Sequence, residues 1–218
     1  MNDAILSING TGVQTLEILT LLTLVGLLPS ILIMMTSFTR IVIVLSLLRN
    51  ALGLQQTPPN TVLIGIALFL SLFIMQPVIS DINANAYEPY KAGQITQEQA
   101  LDNAEVPLKQ FMLKQTKVES LNVFLDFAKM KRPDNLMDVP MYVVIPSFMT
   151  SELSRAFIMG FLLFIPFMVI DIIVGSVLMS MGMIMLPPAT ISLPFKLLLF
   201  VVINGWELLF STLVSSFN

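Results

Sequence analysis

Seven ionisable side chains lie inside otherwise apolar stretches of this 218-residue chain: Arg40, Arg49, Glu152, Arg155, Asp171, Lys196 and Glu207. Charges in such surroundings are expensive and persist by pairing or by facing water, so they mark either an ion or proton path or a set of buried ion pairs. A relay wants histidine or a run of carboxylates, and the chain has no histidine. The ion-pair reading is therefore the stronger, with Glu152 and Arg155, three residues apart on a helix, as its local candidate. A second group is the alternation Met179, Met181, Met183, Met185. A step of two residues turns about 200° on a helix, so these methionines do not share one helical face. Gly182 and the prolines that follow favour a bent segment instead. Thioethers fill irregular gaps in a core, which is the plain reading, and they also suit Cu(I). No cysteine or histidine is present to support a metal. The same two absences remove thiol nucleophiles, zinc–thiolate sites and any Ser-His-Asp triad. No catalytic, cofactor-binding or metal residue is expected.

The elements that must hold these residues follow from hydropathy. The chain is 56% hydrophobic and 11% charged, with a mean hydropathy of +0.85. That leaves too little polar surface to coat a soluble core, so lipid or partner protein must cover the excess. A net charge of −3 with no basic cluster argues against nucleic acid. Of the 25 charged residues, 16 fall between Asp81 and Asp138, which divides the chain into apolar, polar and apolar parts. Residues 1–15 read as a polar N-terminal segment without the basic start of a secretory signal; the chain either inserts through its first apolar helix or has already been processed. Residues 16–80 read as an apolar helical hairpin. Its first span, Ile18 to Thr39, is expected to kink at Pro29, and its tip lies at residues 57–60, where Pro58 and Pro59 disfavour helix. Residues 81–140 read as a small polar helical domain. Thr96-Gln97-Glu98-Gln99 there forms a capping box, and Pro107 is placed at a first helical position. Residues 141–218 read as a second hairpin, with the methionine-rich run at 179–185 and a tip at 186–190 containing Pro187 and Pro188. Arg40 and Arg49 near the first tip predict a cytoplasmic tip and a periplasmic middle domain. The fold class is all-α.

The hairpins also carry recognisable blocks. Met34-Met35-Thr36-Ser37-Phe38-Thr39-Arg40-Ile41, Leu47-Leu48-Arg49-Asn50-Ala51-Leu52-Gly53 and Gln55-Gln56-Thr57-Pro58-Pro59-Asn60 resemble the N-terminal signature of the FliP family. Thr150-Ser151-Glu152-Leu153, Pro166-Phe167, Ile170-Asp171, Met181-Gly182-Met183, Leu193-Pro194-Phe195-Lys196 and Gly205-Trp206 resemble its C-terminal signature. One departure is Asn204, where the family usually has Asp before Gly-Trp. The family belongs to the flagellar type III export gate and has relatives among the SctR-type proteins of injectisomes. The resemblance implies a ring of several copies, five being the expected number, joined by FliQ and FliR homologues and approached by FlhB and FlhA homologues. The ring would sit in the bacterial inner membrane at the flagellar basal body and pass unfolded flagellar substrates. In such a ring the methionine-rich loops would close around the passing chain as a gasket. Hydropathy alone leaves a secondary transporter or a small-solute channel as the rival, since broken helices and buried charges serve those too.

Overall fold

A computed structural model of the protein describes residues 5–8, 11–183 and 185–217. Short strands β1 (Ile5–Ile8) and β2 (Thr11–Gln14) pair antiparallel, Ile5 opposite Gln14. This pairing was not expected from the polar N-terminal segment. Everything else of regular structure among the described residues is helical. The first arm comprises α1 (Thr15–Met35), α2 (Phe38–Ala51) and α3 (Asn60–Ile82). A π-helical turn, Asn83–Tyr87, carries α3 into α4 (Glu88–Lys91). The middle holds α5 (Gln97–Gln115) and α6 (Val118–Phe127). The second arm comprises α7 (Met141–Ser180), α8 (Pro188–Val202) and α9 (Gly205–Ser215).

Three local expectations are corrected. Helix α1 continues past Pro29, and the span expected to reach Thr39 is broken at Thr36-Ser37, where the chain turns by 78° into α2. Hydroxyls explain the position. Thr36 Oγ1 donates to Leu32 O at 2.5 Å and accepts from Phe38 N at 3.3 Å, while Thr39 Oγ1 donates to Ile33 O at 2.5 Å. These side chains take backbone partners that a continuing helix would use. In α5 the capping box starts the helix at Thr96, so Pro107 falls in its interior and removes one backbone donor there. Finally, Asp171 does not interrupt the second arm. Helix α7 is continuous for 40 residues through Pro146, Pro166 and Asp171, about 60 Å at 1.5 Å per residue, twice a bilayer's hydrocarbon thickness.

Helix α2 is the centre of the molecule. Ile41, Val44, Leu45 and Leu48 are buried between α3, α7 and the α8–α9 return, with Leu63, Ala67, Ala156, Phe167, Phe200 and Leu213 around them. The α2–α7 approach is close because residue 160 is glycine: a Cβ there would stand 2.1 Å from Leu47 Cδ1. The middle helices have a separate cluster, Met112, Leu121 and Leu125, completed by Val139 and by Val143, Val144 and Phe148 of α7. The 81–140 region thus has no core of its own and leans on the start of the second arm. Among the described residues, two helices are long and apolar enough to cross a membrane, Asn60–Lys91 and Met141–Ser180, or up to four spans if each bent pair counts as one.

Candidate functional site

Arg40 sits in the first turn of α2 and is fully buried beside the equally buried Glu152 of α7. Its Nε donates to Glu152 Oε2 at 2.8 Å, and its Nη2 bonds the other carboxylate oxygen. Nη2 also reaches Gln115 Oε1 at 3.2 Å, and Nη1 donates to Ser216 O and Oγ at 3.1 and 2.9 Å. All five guanidinium donors therefore have an acceptor, which a buried arginine requires. The cation also lies 3.7 Å from the Phe217 ring centroid, and Phe111 stacks on that ring. Gln115 completes the set by donating to Phe217 O at 3.0 Å. The node binds α2, α5, α7 and the residues after α9 to one another.

The expected Glu152–Arg155 pair does not form. Glu152 turns to Arg40, and Arg155 Nη1 donates instead to Gln115 Oε1 at 2.7 Å. The physical reason is burial: a fully buried carboxylate is best served by a bidentate guanidinium, and Arg155 is only half-buried at the edge. Gln115, Ser216 and Phe217 were not singled out by sequence. They are neutral, and they lie 75 residues or more from Arg40, with no periodicity to mark them.

A second ion pair ties the arms together lower down. Lys196 of α8, nearly buried, bonds Asp171 Oδ2 at 2.6 Å and Ala51 O at 3.2 Å, at the last turn of α2. Ser192 Oγ donates to the other carboxylate oxygen at 2.5 Å. A cation at a helix C-terminus is favourable, so one ammonium serves both arms.

Arg49 makes no ion pair among the described residues. Its Nη1 donates to Pro58 O at 3.1 Å and Asn60 Oδ1 at 2.7 Å, while its Nε is buried without a partner. Arg49 thus clamps the turn that holds Pro58 and Pro59. Glu207 is exposed in the first turn of α9, with no ion pair among the described residues. Asn204, which begins α9, has φ +51°. Asparagine tolerates that left-handed conformation, so this position is met by backbone need without a carboxylate.

The methionines lie at the end of α7 and in the turn that leads to the second tip. Met179, Met181, Met183 and Met185 are 65, 68, 38 and 97% exposed. Gly182 turns the chain with φ +73°, and Met183 N bonds back to Leu178 O at 3.0 Å. Among the described residues, Met179, Met181 and Met185 are left largely uncovered, and Met183 is the most covered of the four. Pro187 and Pro188 then start α8.

The model of the FliP family matches residues 21–213. The flagellar biosynthetic protein FliP of Bacillus subtilis (strain 168) is 52% identical over 204 residues, which cover 94% of this chain and 92% of that protein. That of Pectobacterium carotovorum is 53% identical over 206 residues, covering 94% and 79%. That of Aquifex aeolicus is 51% identical over 212 residues, covering 96% and 88%.

Proposed function

The chain belongs to the FliP family of flagellar biosynthetic proteins, and from that premise we propose that several copies of it form a ring in the bacterial inner membrane, lining the export gate of the flagellar basal body. Unfolded flagellar proteins would pass through the ring. FliQ and FliR homologues would complete its wall, with FlhB and FlhA homologues as further partners. The protein itself would perform no covalent chemistry.

The observation that carries this reading is the second tip. Met179 at the end of α7 and Met181, Met183 and Met185 in the turn after it are 38 to 97% exposed among the described residues. An isolated membrane protein gains nothing by presenting them to water or headgroups. In a ring, equivalent loops from each copy meet, and unbranched thioether side chains can repack around sequences of any shape. The outer faces of the helices support the same reading. Only 11% of the most apolar stretch of α7 is buried within the chain, and Phe157, Phe161, Met168 and Ile172 are exposed along it. A surface this large needs neighbours.

The test replaces Met179, Met181, Met183 and Met185 together with alanine. The expected result is a complex of normal abundance that leaks small ions, with export reduced less than sealing. Leucine at the same positions, similar in volume but stiffer, should leak less than alanine. Normal abundance without leak would overturn the gasket, and lost abundance would return these residues to packing.

A further inference from the structure

Two cations on the outside of the Arg40 node make no ion pair among the described residues. Arg155 uses one guanidinium donor on the neutral Gln115. Lys117, at the start of α6, is held by two serines of α7: its backbone N–H donates to Ser151 Oγ at 2.9 Å and its Nζ to Ser154 Oγ at 2.8 Å. Ser154 and Arg155 are adjacent, so one turn of α7 fixes both cations. Neither has a carboxylate within 4 Å among the described residues, where the ion pairs are Arg40–Glu152, Lys109–Glu105 and Lys196–Asp171. Both oxygens of Glu152 are bonded to Arg40, so it makes no direct contact with either of them. The patch therefore carries two positive charges, positioned by neutral hydrogen bonds and half-buried. Its rim is apolar: Val118, Leu153, Phe157 and Ile158 are 50, 38, 58 and 53% exposed. Such a patch fits a carboxylate carried on an apolar helix.

The chain itself carries that ligand elsewhere. Glu207 is the one acid of α8 and α9. It is exposed and without an ion pair among the described residues, between Trp206 and Leu208, which are 39 and 56% exposed. The dipole of α9 favours a carboxylate in its first turn, which makes Glu207 tolerable in a lone copy but leaves Lys117 and Arg155 uncompensated. We propose that Glu207 of one copy enters the Lys117–Arg155 patch of the next, and that this contact sets the order of copies around the assembly. The two surfaces are different, so the contact is heterologous and propagates around a ring rather than closing a two-fold dimer. The proposal rests on the multi-copy reading above.

The test uses the complete complex, co-expressed with its FliQ and FliR homologues. Arg155→Glu should lower recovery of the multi-copy complex by about tenfold or more, because two carboxylates then face each other. Adding Glu207→Arg should restore it. In this cysteine-free chain, Arg155→Cys combined with Glu207→Cys should give a disulfide-linked ladder of copies under oxidation, and either cysteine alone should give none. Wild-type recovery of Arg155→Glu would overturn the proposal. So would a failure of Glu207→Arg to restore it together with no ladder, whether the true counter-charge is an acid on another protein or an anionic lipid. The mass of the unmodified complex in the same preparation separates the two readings: many copies without a ladder removes only the Glu207 contact, and a single copy removes the ring.

Discussion

The two proline tips begin alike and end differently. In the first, Gly53 at φ +80° closes α2, with Gly53 N bonded to Asn50 O and Leu54 N to Arg49 O. In the second, Gly182 at φ +73° closes α7, with Gly182 N bonded to Met179 O and Met183 N to Leu178 O. Each is the same Schellman turn, in which a left-handed glycine lets the last amides return to free helix carbonyls. Aligned on those glycines, Arg49 corresponds to Leu178, Leu52 to Met181 and Leu54 to Met183. The consequences diverge from there. Arg49 clamps Pro58 and Asn60, and Lys196 reaches across from the second arm to Ala51. Leu52 is 2% exposed, whereas Met181 is 68% exposed. One tip is fastened across the arms by cations, whereas the other has side-chain bonds among the described residues only at its α8 end, where Thr190 Oγ1 donates to Pro187 O. The same turn serves as a structural corner where cations tie it down, and as a presented surface where they are absent.

The contrast can be broken hardest at the root of the first arm. Arg40→Met leaves Glu152 buried without its cation and should cost about 3–5 kcal/mol, read as a large drop in thermal unfolding temperature of the detergent-solubilised protein. Arg40→Met with Glu152→Met should recover a substantial part, since removing both charges also removes the desolvation penalty; no recovery would mean that Ser216 and Gln115, rather than the ion pair, hold the node. A smaller effect sharpens the comparison at the tips. Arg49→Leu gives the first tip the residue of the second, and loss of its two bonds should cost about 1–2 kcal/mol, with faster proteolysis at Gln55-Gln56. The reverse change, Leu178→Arg, should not protect the second tip, because Met183 to Pro187 offer no side-chain acceptor of the Asn60 kind. Equal proteolysis of wild type and Arg49→Leu would remove the clamp. The smallest effects should be those of Gly53→Ala and Gly182→Ala. An added Cβ meets only ordinary contacts at Gly53 and nothing within 4 Å at Gly182. Both should therefore cost about 1 kcal/mol from left-handed strain alone. A silent Gly182→Ala would show that the second tip does not keep its Schellman turn in solution.

Much of the helical plan was legible because its signals are local. Each proline pair stands at the start of a helix, Pro59 capping α3 and Pro187 capping α8, and Thr96 with Gln99 caps α5 through atoms three residues apart. The bend at Thr36-Ser37 was also local, but the expectation weighted Pro29 over hydroxyls that only reveal their bonds in three dimensions. The site was legible as a set of residue types rather than as pairings. Seven charges in apolar runs were visible, yet their spacing suggested Glu152 with Arg155, and the structure joins Glu152 to Arg40, 112 residues away.

By itself, the amino-acid sequence determined that this chain is helical, that its surface needs lipid or neighbours, and which few charges and methionines stand apart. Those properties depend on short-range sterics and on transfer free energy, which add along a chain. Tertiary structure alone decided which charge meets which, that Gln115 and Ser216 complete the arginine's shell, and that one tip is tied down while the other projects. Those outcomes depend on where α2 comes to lie between α3 and α7, because a buried guanidinium must find every acceptor in whatever elements happen to surround it.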